Sequence, residues 1–251
     1  VLLGEPPLTL LLSAQAAQLE GEDALAKAYF EAMLGQPETE FLGLRGLLVQ
    51  ANKAGNNRAA LELADRAFAL RPHTPWVLTA LLELQSHAGR WPDALATLRV
   101  ALRQKVLDVE AGQRREAGLL LELARDAREA GDSREACNYA ARAMEASPHF
   151  MPAIIFATGQ ALALGRHTQA ERLISQAWGK TPHPTLARYF NEIHSDDDTI
   201  ARAKHFENLA KRNPDHPETH LLLASGALDA RLWGSARSHL QAVLKARPSV
   251  S

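Results

Sequence analysis

The stretch Ala54–Pro72, AGNNRAALELADRAFALRP, holds a stop at Gly55, an alanine-rich amphipathic run and a second stop at Arg71-Pro72. A glycine at Gly55 supplies the left-handed residue that ends a preceding helix, and Pro72 blocks continuation of the next one. Between them Leu61, Ala64 and Phe68 recur at helical spacing. The arrangement returns along the chain. A Gly followed five residues later by an Ala occurs at Gly21/Ala26, Gly55/Ala60, Gly89/Ala94, Gly131/Ala136 and Gly165/Ala170, in steps of 34, 34, 42 and 34 residues. Ala203 and Ala236 continue in two degenerate copies, each 33 further on. Seven residues after these alanines stand Met33, Ala67, Ala101, Ala143, Ala177, Ala210 and Val243, and Pro37, Pro72, Pro148, Pro182, Pro214 and Pro248 close six of the units.

Each unit holds two short helical runs, and a helix pair of this length cannot bury its apolar face alone, so successive pairs must stack. The recurring alanines mark close helix contacts. Pro75, Pro152, Pro184 and Pro217 suit the first turn of a helix. The pattern resembles the tetratricopeptide repeat over nearly the whole chain, although that family's early Trp and mid-helix Tyr are mostly absent. It predicts an all-α, right-handed tetratricopeptide-repeat superhelix (α-solenoid) of about seven helix pairs. The pairs span 8–37, 40–72, 75–107, 109–148, 151–182, 184–214 and 217–248, in a single repeat domain covering 1–251. The step of 42 and the missing Pro after Ala101 place eight extra residues around Lys105–Asp108 and Gln113–Arg115. They predict a first helix about two turns longer in the fourth pair, read as a bend in the stack or as a protruding partner contact.

Net charge of −1 gives no global pull toward nucleic acid or an anionic membrane. With 46% hydrophobic and 23% charged residues the chain is globular, not disordered. The single Cys137 excludes an internal disulfide and reads as a packing residue. Leu8–Leu19 is too short and too polar to span a bilayer. A chain opening on Val1 without Met leads us to expect that the natural N-terminus is missing.

The chain carries no nucleotide loop, GxSxG elbow, HExxH or paired-Cys motif, so we expect no catalysis and no obligatory metal. His216 and His220 are four apart, but Pro217 starts a helix between them. His73, His149, His183 and His216 occupy equivalent loops one repeat apart, and Asp196-Asp197-Asp198 reads as favourable charge before a helix at Thr199. What remains is a surface. In this architecture the first helix of each pair lines a concave groove. Its expected positions are Arg45, Val49, Asn52 and Lys53 in the second pair, and Thr79, Glu83, Ser86 and His87 in the third. Arg125 and Arg128 follow in the fourth and Arg188 and Glu192 in the sixth. Asn and basic side chains there suit a peptide backbone or carboxylates.

Four segments carry a narrower resemblance: GEPPLTLLLSAQAAQLEGED, QPETEFLGLRGLLVQANKAG, LRPHTPWVLTALLELQSHAGRWPDALATL and TPHPTLARYF. They resemble the HemY family, most specifically in PETEFLGLRGL, which a generic repeat does not require. That resemblance runs from Leu2 to Pro248. It implies a bacterial inner-membrane protein with two transmembrane helices ahead of its repeats, facing the cytoplasm and associated with late protoheme synthesis. The family shares its name with an unrelated oxidase whose dinucleotide fingerprint this chain lacks. The implied role is a non-catalytic scaffold or regulator that gathers terminal heme-synthesis enzymes, without a cofactor of its own. Heme or porphyrin handed on nearby would take an axial ligand such as His87. The alternative is a general adaptor for envelope assembly or protein quality control.

Overall fold

The computed structural model describes residues 6–246. Gly4 and Glu5, at the head of the first resembling segment, and Pro248, the expected stop of the last pair, lie outside them. Among the described residues every regular element is an α-helix, fourteen in all. Their packing forms two compact units, Val1–Leu123 and Ala124–Ser251.

The first unit contains α1 (Pro7–Glu20), α2 (Asp23–Met33), α3 (Glu40–Lys53), α4 (Asn57–Leu70), α5 (Pro75–His87), α6 (Trp91–Arg103) and most of α7 (Val109–Glu129). Consecutive helices pack as hairpins, α1 on α2, α3 on α4 and α5 on α6, and neighbouring hairpins meet through α2 on α3 and α4 on α5. Gly55 (φ 67°) closes α3: its N–H donates to the Asn52 carbonyl and that of Asn56 to the Ala51 carbonyl, a Schellman closure. The Asn56 side chain then caps α4 by accepting from the Ala59 N–H at 3.1 Å. The repeat alanines Ala26, Ala60 and Ala94 are fully buried at the helix contacts, as are Met33 and Ala67. Around them Leu10, Phe30, Met33 and Leu47 form one cluster and Leu48, Ala60, Leu81 and Leu84 another. Each such large side chain stabilises the unit by roughly 1.5–3 kcal/mol relative to exposure.

The third pair shows why no proline follows Ala101. Lys105 adopts φ 56°, and its N–H and that of Val106 donate to Leu102 and Ala101. A non-glycine residue therefore makes the closure. Asp108 then accepts from the Ala111 N–H at 2.8 Å and opens α7, whose 21 residues exceed the 13 of α5 by the two turns that the spacing predicted.

The second unit continues from the end of α7 through α8 (Ser133–Ala146), α9 (Met151–Ala163), α10 (His167–Trp178), α11 (Pro184–Ile193), α12 (Thr199–Ala210), α13 (Pro217–Asp229) and α14 (Trp233–Ala246). Ile154, Ile174, Trp178, Leu186, Phe190, Phe206, Leu209 and Leu222 share one core. The Trp178 indole N–H donates to the Thr219 hydroxyl at 3.0 Å inside it. The degenerate copies are visible as local substitutions. Ala203 is only half-buried while Phe206, three residues on, is buried, and Arg231 stands at φ 56° where other pairs carry a left-handed glycine.

Candidate functional site

The expected recognition residues all lie on first helices, and the structure separates them. In α3 the run Phe41–Leu48 is buried apart from Leu42 and Arg45. The Arg45 guanidinium lies over the Trp76 ring of α5, 5.6 Å from its centroid, an arrangement that holds the cation on an aromatic face. Val49 and Asn52 are exposed on the same helix. Lys53 is exposed too, but it pairs with Asp23 of α2 at 3.0 Å. It lines a cleft of about 720 Å³ between α2, α3 and α4 together with Lys27, Glu31, Glu62 and Arg66. At 3.6 residues per turn a spacing of seven returns almost to the same face, whereas a spacing of eight overshoots by about 80°. Lys53 thus turns toward the preceding pair, and the basic set gathered from the sequence divides. The cleft's charges are themselves met by partners: Lys27 by Glu31, Arg58 by Glu62 and Arg66 by Glu40.

In α5 Glu83 and His87 are exposed, while Thr79 and Ser86 are half-buried. Both hydroxyls donate to carbonyls of their own helix, to Pro75 at 3.1 Å and Leu82 at 2.7 Å. In the second unit Arg125, Arg128, Arg188 and Glu192 are exposed. Arg128 stands 4.9 Å over the Phe156 ring and Arg188 5.4 Å over Tyr189. The aromatic support beneath Arg45, Arg128 and Arg188 is not legible in the sequence, because it depends on where rings of other residues come to lie.

PETEFLGLRGL acquires a packing explanation. A Cβ at Gly43 would lie 2.8 Å from the Phe30 carbonyl, and one at Gly46 would overlap the Phe30 ring. Phe41 is buried against Trp76, ring centroids 5.2 Å apart. The segment's glycines let α3 approach α2, and Arg45 is its displayed cation.

The loop histidines are structural caps in two of four cases. His183 and His216 accept through Nδ1 from the N–H groups of Thr185 and Glu218, each at 3.1 Å, which removes His216 from any pairing through that atom with His220. In the acidic run, Asp198 caps α12 by accepting from Ile200 and Ala201 at 2.9 and 2.8 Å. Those two N–H groups hold its carboxyl below the ordinary carboxylate range. Asp197 instead turns to the His194 ring, a contact the sequence reading did not contain. Cys137 is half-buried on α8. Among the described residues no helix is long and apolar enough to cross a membrane.

A model of the tetratricopeptide repeat matches residues 51–117. A probable magnetosome protein, Mms48 of Magnetospirillum gryphiswaldense, is 32% identical over 118 residues, 47% of this chain. The match spans only 26% of that relative's length. Among solved structures, a tetratricopeptide repeat protein of Parabacteroides merdae aligns over 97% of this chain and 94% of its own at 12% identity and TM-score 0.40. A thermophilic tetratricopeptide protein of Thermus thermophilus aligns over 75% of this chain and 99% of its own, at 21% identity and TM-score 0.31. A MamA structure covers 68% of this chain and 89% of its own at 17% identity and TM-score 0.42. Helix hairpins such as α1–α2, α3–α4, α5–α6, α9–α10 and α13–α14, recurrent left-handed closures and buried small residues at the repeat positions agree with the repeat match. The chain has the fold of a tetratricopeptide-repeat α-solenoid.

Proposed function

We propose that this chain is a non-catalytic scaffold for proteins of late protoheme synthesis at the bacterial inner membrane, capturing partners on the exposed faces of its first helices. The observation that carries the capture mode is Arg45. It is exposed within a buried run and held over Trp76, so its guanidinium is presented to a partner carboxylate with little rotamer freedom left to lose. The heme assignment rests on the resemblance of PETEFLGLRGL and TPHPTLARYF to the HemY family, and the inner-membrane, cytoplasm-facing placement rests on it as well. Purified terminal heme-synthesis enzymes test this reading directly. Saturable capture by the chain, weakened in Arg45→Glu, is the expected result. Absence of capture by every one of them overturns the heme reading. Heme titration supplies a second check on this chain: a saturable spectral shift lost in His87→Ala would add direct heme handling.

The likeness to a probable magnetosome protein, and not to a heme-synthesis protein, favours a second reading, a general adaptor for envelope assembly or protein quality control. Capture of assembly proteins by the same Arg45 face, with none of the heme enzymes, separates the two.

A further inference from the structure

The second unit brings together three groups that no sequence motif connects. Glu171 of α10, His194 at the end of α11 and His205 of α12 place one ligand atom each within 4.8 Å of one another. His194 is the anchor. Its side chain is 8% exposed, and its Nδ1 sits 2.7 Å from the Asp197 carboxylate. That contact fixes the ring's proton on Nδ1 when the ring is neutral, leaving a lone pair on Nε2. Nε2 is buried without a hydrogen-bond partner and faces Glu171 Oε1 at 3.9 Å. A lone pair aimed at a carboxylate across that gap is unfavourable unless a cation lies between them.

The geometry points to a divalent transition-metal site, with His194 Nε2, His205 and Glu171 as ligands and Asp197 as the carboxylate that orients His194. Two imidazoles and one carboxylate form a donor set suited to Zn²⁺ and its neighbours, with a coordination position left for water. Bonds of about 2.1 Å put two ligands of a tetrahedral ion about 3.4 Å apart, so the set must contract by at most about 1.4 Å. The movable members can supply this. Glu171 is 40% exposed and His205 41% exposed. The His205 ring now stacks on His194 with centroids 4.0 Å apart and planes 19° apart. It must turn out of the stack to direct a nitrogen at the ion, while the buried His194 stays in place. A bound ion would tie α10, α11 and α12 together on the side of the core formed by Phe190 and Phe206.

Calorimetric titration of the untagged 251-residue chain with Zn²⁺ near neutral pH tests the site, with Co²⁺ visible absorption reporting coordination. The expected result is one saturable equivalent. His205→Gln and Glu171→Gln, both at partly exposed positions, should each weaken it at least tenfold, and Asp197→Asn by roughly 10–100-fold, as for other orienting carboxylates. Circular dichroism confirms that each variant is folded. His239→Gln and Cys137→Ser, which alter other candidate ligands, should leave affinity unchanged. Absence of saturable binding overturns the site. Binding indifferent to His205→Gln and Glu171→Gln, or lost in His239→Gln, overturns it equally.

Discussion

Gly46 of α3 lies directly beneath the ring of Phe30 in α2, and no Cβ fits between them. The contact makes the close approach of two successive pairs conditional on one missing methyl group. Gly226 stands in the same relation to Phe206 between α13 and α12, where a Cβ would come within 2.7 Å of the ring.

Gly46→Ala should therefore destabilise the chain by roughly 1–3 kcal/mol through overpacking, despite alanine's better helix propensity. Phe30→Leu combined with it should recover part of the loss. Urea unfolding of the single and double variants gives the coupling; strictly additive effects would show that the two residues do not compete for the space.

Arg231 holds a left-handed conformation that favours glycine. The strain of about 1–2 kcal/mol exceeds the entropy glycine adds to the unfolded chain, about 0.5–1 kcal/mol. Arg231→Gly should raise stability by about 0.5–1 kcal/mol, while Arg231→Ala should not. Thermal melting of the pair decides it, and equal melting points would remove the strain argument.

Charge reversal should act differently at two residues once grouped together. Arg45→Glu keeps stability within about 0.5 kcal/mol and weakens partner capture. Lys53→Glu places a carboxylate opposite Asp23, costs up to about 1 kcal/mol as an exposed pair, and has a smaller effect on capture. Pull-down and melting in parallel separate these outcomes; the reverse ranking would move the interface to the cleft between α2 and α4.

His220 and His239 face each other with Nδ1 atoms 3.2 Å apart, a hydrogen bond only while at least one ring is neutral. Burial first, and the neighbouring His220 second, hold His239 below the ordinary imidazole range. The unfolded chain then binds that proton more readily, so this contribution is complete above the unfolded-state pKa and is lost as pH falls through the folded one. Urea midpoints should decline on acidification below about pH 6.5, less steeply in His239→Gln. Parallel slopes for the two proteins would contradict this.

The helix pairs were legible because their signals are local. Gly55, Pro72 and Pro75 act on their own backbone, and the alanine spacing repeats on every turn of the stack. Lys105 was not legible, since a lysine in the left-handed region carries no compositional mark, and the missing proline looked like an omission rather than a different closure. The recognition residues were legible as surface, yet Lys53 was assigned to the wrong side because one residue of spacing rotates a side chain through more than a quarter turn. Glu171, His194 and His205 come from three helices at spacings unrelated to the repeat. Only their meeting in space gives them meaning.

The hydrogen bond from Trp178 to Thr219 joins α10 to α13 across two intervening helices. In a stack coupled only between neighbours, helices can fray singly from an end. This tie spans 41 residues, and its donor lies in the same core as Leu186, Phe190, Phe206 and Leu209 of α11 and α12. Opening the inner helices therefore disturbs the packing around both ends of the tie. The C-terminal repeats should open as a block, and hydrogen exchange is expected to show the amides from α10 through α13 protected as one group.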